Sequence, residues 1–209
     1  MLMKQVLLLT LLLFPAGIPV MQSRKSEPVK SEANQFKLIV PNTTWEPIFF
    51  RSINERARLA NLSSLRTALP ENDLELRTWN GFGVTALEAF VLRRSAGQWS
   101  AIHLDGIHPK LPREKYQRQL LAPKSGWNEC WRKLLELGIF TLPDAVEIQC
   151  STLVNDGMSY VVEINYELTY RTYLYDNPGY AKCEQAQRMI SIGGFIAEQF
   201  DVPEMATRK

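Results

Sequence analysis

The strongest constraint on the fold is a change of apolar period along the chain. Residues 74–79 alternate, Leu74 and Leu76 against Glu75 and Arg77, and residues 99–104 alternate again. Strand side chains point to opposite faces in turn, so a period of two marks a half-buried strand. Between these segments, residues 84–94 are apolar on both faces, as expected of a strand inside a sheet. Ser95-Ala96-Gly97-Gln98 supplies a turn, and Gly81 and Gly83 around Phe82 predict a tight connection or bulge. Three strands with short links form an antiparallel meander.

Elsewhere the period is helical. Trp127, Cys130, Trp131, Leu134 and Leu135 fall on one helical stripe, with Ser125 as the expected cap, Gly138 as the stop and Pro143 beyond. Ala186, Met189, Ile190, Gly193, Ala197 and Phe200 predict a second helix ending near residue 200. Gly193-Gly194 inside it costs about 1 kcal/mol per glycine relative to alanine, which points to close packing on the sheet. Leu59, Leu62, Leu65 and Leu69 predict a further helix or mixed loop over 52–69, with Ser52 as the cap of a helix there, ended by the turn Pro70-Glu71-Asn72-Asp73. Residues 36–40 read as a short first strand before Pro41.

Residues 160–165 and 168–175 read as a second hairpin. A two-residue loop at Tyr166-Glu167 would set Val162 beside Arg171. An odd loop over 165–167 sets Ile164 beside Leu168 and Val162 beside Tyr170. Each misplaced apolar side chain forfeits about 1.5–3 kcal/mol, so burial on one face selects the odd loop. That leaves Arg171, Tyr173 and Tyr175 with Glu163 as a candidate binding surface, Tyr and Arg being residues that carry interface energy. The expected architecture is a single α+β domain over 36–203: an antiparallel sheet, meander plus hairpin, packed on one face by two or three helices.

The beginning of the chain speaks to location. Lys4, an apolar run over 6–14 and then Pro15-Ala16-Gly17 follow the order of a secretory signal peptide, expected over 1–22. The run falls short of the ~20 residues of a membrane-spanning helix, so no stable membrane insertion is expected after cleavage. Residues 23–35 read as a flexible leader and 204–209 as a tail. The expected location is extracytoplasmic, secreted or periplasmic. Cysteines there form disulfides by default. Of the three, Cys130 lies on a helical stripe and reads as a buried hydrophobe, while Cys150 and Cys183 lie near loops and are expected to pair. Closing that loop stabilises the fold by roughly 3–4 kcal/mol.

Composition then limits the chemistry. With 209 residues, 45% hydrophobic and 22% charged, the chain lies in the ordinary globular range. A net charge of +2 gives no support to nucleic-acid binding. No phosphate loop, dinucleotide fingerprint or Gly-x-Ser-x-Gly elbow occurs. His103 and His108 are the only histidines. With Asp105 they are the weak candidates for a metal site or a hydrolase, but their spacing matches no ligand motif and Gly106 and Pro109 predict a turn. Lys110, Arg113, Lys115 and Arg118 read as a solvated loop. Asn42-Thr43-Thr44 and Asn61-Leu62-Ser63 are formal glycosylation acceptors only. The function expected is a non-catalytic binding or interaction module for an unidentified protein or envelope component, without cofactor or nucleic acid. The alternative is a secreted hydrolase using His103, Asp105 and His108.

Overall fold

A computed structural model describes residues 35–80, 88–107, 110–150 and 158–203. The expected signal segment, most of the leader, the tail, the Gly81–Gly83 connection and His108 lie outside the described residues. The elements are β1 (Lys37–Ile39), α1 (Trp45–Leu59), β2 (Leu74–Asn80), β3 (Glu88–Ser95), β4 (Gln98–Asp105), a 3-10 turn (Arg113–Lys115), β5 (Gln117–Gln119), α2 (Trp127–Glu136), β6 (Ser159–Tyr166), β7 (Thr169–Asp176) and α3 (Glu184–Phe200). The strands form one sheet in the order β1-β7-β6-β2-β3-β4-β5.

The meander β2-β3-β4 and the hairpin β6-β7 are joined where β6 pairs with β2. The fold is α+β, but the sheet is mixed: β1 runs parallel to β7, with Leu38 opposite Tyr170. A strand whose chain passes into a helix, rather than through a hairpin turn, is not bound to antiparallel pairing.

Two apolar clusters use alternate residues of the same strands. Leu74, Leu76, Phe90, Leu92, Val162, Ile164 and Tyr173 belong to one, together with Cys130 and Leu134 of α2 and Ala186, Met189, Ile192 and Ile196 of α3. Trp79, Val91, Val161 and Leu174 belong to the other, with Phe49, Phe50, Ile53 and Ala57 of α1. Helical residues therefore contribute to a core on each side of the sheet, where packing on one face was expected. The neighbouring apolar pairs Val91-Leu92 and Val161-Val162 are the cause, because each pair places one side chain on each face.

The hairpin register also differs from expectation. Val162 lies opposite Tyr173 and Ile164 opposite Arg171, and the loop is the two residues Glu167-Leu168, both at positive φ. The odd loop is overturned. Its premise was one covered face, and with a core on both sides burial cannot choose the parity. Smaller differences have local causes. α1 starts at Trp45, so Ser52 lies within it rather than at its cap. It ends before Asn61, which takes φ 55°, and Leu62 and Leu65 are buried from the loop beyond. Gly126, at φ 82°, stands at the start of α2 where Ser125 was expected to cap.

Cys150 and Cys183 form a disulfide with Cα atoms 6.0 Å apart, as expected. Cys183 also caps α3, its Sγ accepting from the Ala186 amide at 3.4 Å. Cys130 is free and buried, and burial pushes its thiol up to about 12. Among the described residues, no helix is long and apolar enough to cross a membrane.

Candidate functional site

The α1 side of the sheet holds charge that a core ordinarily excludes. Glu75, Arg77 and Trp79 alternate along β2 toward this side, and Arg77 lies directly opposite Glu163 of β6. All four side chains are buried. Buried charges persist only when paired and hydrogen-bonded, and each of these is. Glu75 accepts from Arg77 Nε at 2.7 Å through one oxygen and from Arg93 Nε at 2.6 Å through the other. Glu163 Oε2 accepts from Trp79 Nε1 at 2.8 Å and lies 3.8 Å from Arg77 Nη1, while Oε1 accepts from the Tyr170 hydroxyl at 3.1 Å.

The same residues anchor the loop after α1. Arg77 Nη2 donates to the Ser63 carbonyl at 2.6 Å, and Asn165 Nδ2 donates to the carbonyls of Leu65 and Thr67, each at 2.7 Å. Arg66 from this loop pairs with Glu46 of α1, its guanidinium 4.5 Å from the centre of the Phe50 ring. Between loop, helix and sheet lies a cavity of about 430 Å³. By exposure its lining divides into a buried apolar wall of Phe50, Ile53, Ala57 and Leu62, a buried polar floor of Arg77 and Glu163, and a mouth of exposed Asn54, Arg58, Ser63 and Ser64 with half-buried Arg66.

Burial raises the Glu163 carboxyl above the usual range, and the Arg77 charge and the bonds from Trp79 and Tyr170 only partly oppose this. The Tyr170 hydroxyl is likewise raised by burial and by the adjacent Glu163 charge. Perturbed groups at the base of a cavity mark a candidate site. The arrangement offers fixed donors, one fixed carboxyl and an apolar wall, which is the equipment of recognition. Among the described residues, no three His, Cys, Asp or Glu side chains are grouped to hold a metal ion.

The four residues expected to form a binding surface do not share a face. Glu163 belongs to this cavity, whereas Arg171, Tyr173 and Tyr175 point to the other side of the sheet. Tyr173 and Tyr175 are 0% and 1% exposed, and their hydroxyls donate to the carbonyls of Ile139 at 2.8 Å and Pro143 at 2.9 Å. Arg171 donates to the carbonyls of Phe140 and Leu142. That face is closed by the segment 139–145, which Ala145 ties to β7 through the Leu174 carbonyl at 3.1 Å. A surface built on these residues is thereby corrected: they pack under this segment.

His103 is buried on β4, its Nε2 2.6 Å from Glu88 Oε1, and Asn80 Nδ2 donates to the other Glu88 oxygen at 3.0 Å. Asp105 is exposed at the end of the strand. Sequence reasoning missed Arg77 and Glu75, because a charged alternation reads as a solvated strand face, and Arg66, because it lies in a loop with no pattern of its own. The available signal was Arg77 and Glu163 sharing a face of neighbouring strands, which depends on knowing that β2 pairs with β6. Comparison of the chain with family models, curated proteins and solved structures gives no match, so the functional reading rests on this geometry.

Proposed function

We propose that the chain is a non-catalytic binding module working outside the cytoplasm, and that it takes a small ligand in the cavity between α1 and the sheet. The observation that carries this reading is the cavity itself, floored by a buried Arg77–Glu163 pair and walled by Phe50, Ile53 and Leu62. Its volume lies within the roughly 300–1,000 Å³ of ligand pockets, and few polar groups among apolar ones is how such pockets orient a ligand. The Cys150–Cys183 bond is compatible with an oxidising compartment. Ala57→Phe tests the site by filling it from the α1 side. In a small-molecule screen read by amide NMR shifts, compounds that perturb α1 and residues 62–66 are expected to lose that effect in the filled variant. Unchanged shifts in a variant that remains folded place the ligand elsewhere.

One observation favours the hydrolase reading, the carboxylate-held imidazole of Glu88 and His103. An esterase activity abolished by His103→Gln with thermal stability retained would select it over the binding module.

A further inference from the structure

We infer that the cavity takes an amphiphile with one anionic head and an apolar body, the head at the mouth and the body along α1. This rests on the binding reading above and narrows it to a ligand class. The charges of the cluster do not cancel. Arg77 and Arg93 share Glu75, Arg66 holds Glu46, and Glu163 lies beside Arg77. With Arg58, four arginines face three glutamates, and Arg58 has no ion-pair partner among the described residues. The positive charge in excess therefore lies at the mouth, on an exposed side chain free to turn toward a ligand. Protonation of Glu163, which its burial favours, would add to the excess.

The neighbours of Arg58 suit the same head. The hydroxyls of Ser63 and Ser64 and the amide of Asn54 line the mouth and can donate to an oxyanion. Arginine provides a planar fork that matches a carboxylate or phosphate oxygen pair. Phe50, Ile53, Ala57 and Leu62, all buried, supply the apolar part of the lining. At the floor, Arg77 and Glu163 are already bonded to Glu75, Ser63, Trp79 and Tyr170. Because these polar groups are already engaged, the buried end favours hydrocarbon over a second polar head. A cationic head would meet the exposed Arg58, while Glu163, the carboxylate that lines the cavity, already lies against Arg77, Trp79 and Tyr170.

Three probes that share one body separate the possibilities: octanoate, octanol and octylammonium, titrated into the full chain and followed by amide shifts and calorimetry. Octanoate is expected to shift residues of α1 and 62–66, with octanol at least tenfold weaker and octylammonium without effect there. Arg58→Gln is expected to weaken octanoate at least fivefold and to flatten its dependence on salt, while Lys124→Gln, whose lysine pairs with Asp201 away from the cavity, leaves affinity unchanged. If octanol or octylammonium binds at these residues as tightly as octanoate, the anionic head is wrong and the cavity reading survives. If none of the three perturbs these residues, the cavity reading falls with it.

Discussion

At the scale of single residues, the structure turns on amphipathic side chains whose polar ends are satisfied inside. Tyr173 buries its ring in the core and its hydroxyl donates a hydrogen bond to the Ile139 carbonyl. Tyr173→Ala is expected to lower stability by about 3–5 kcal/mol, the cost of deleting a buried aromatic. Tyr173→Phe, which only orphans a carbonyl, should lower it by about 1–3 kcal/mol. Urea denaturation of both variants measures this, and a Tyr173→Ala protein of native stability would restore the tyrosine to the surface. Glu163 carries a pH signature. Its carboxyl is raised in the folded state, so the fold keeps the proton to higher pH than the unfolded chain does. Stability from this group is present at low pH and is lost as pH climbs from about 4.3, where a free glutamate ionises, through its raised folded value. Melting temperatures of the wild type and Glu163→Gln across that range should diverge, the wild type falling relative to the variant.

At the scale of elements, the hairpin loop shows a compromise between local and global preference. Glu167 and Leu168 both take left-handed backbone, φ 47° and 56°, in a two-residue loop. That geometry prefers Asn-Gly. Here a charged and a branched side chain accept it because cores on both sides of the sheet hold the register of β6 and β7. The double variant Glu167→Asn, Leu168→Gly is expected to gain about 0.5–1 kcal/mol in chemical denaturation, with register unchanged. The helices behave differently. α2 and α3 lie close to where their apolar stripes predict, whereas α1 was displaced toward the N-terminus because Leu62 and Leu65 continue the helical spacing beyond the point where Asn61 ends the helix.

At the scale of the molecule, one covalent tie joins the segment before β6 to the start of α3. Cys150 and Cys183 are 33 residues apart, so their bond restricts the unfolded chain by about 3–4 kcal/mol. Denatured without reductant, the protein should release one thiol, that of Cys130, and reduction should expose three. Replacing Cys150 and Cys183 together by alanine should lower the denaturation midpoint by a matching amount.

Taken alone, the sequence determined the strands of the meander and of the hairpin, the helices α2 and α3, the disulfide partners and the absence of familiar catalytic motifs, because these follow from local period, turn chemistry and spacing; it misplaced α1 and read β5 as loop. It did not determine the faces. Arg171, Tyr173 and Tyr175 read as an open surface, and Glu75 and Arg77 as the polar side of a half-buried strand, because a period of two says that two faces differ without saying what covers each. Only the tertiary structure decided that β2 lies beside β6, that both faces are covered, and that Arg77 meets Glu163 under α1. Burial of a side chain depends on what folds against it from distant parts of the chain, and no local pattern encodes that.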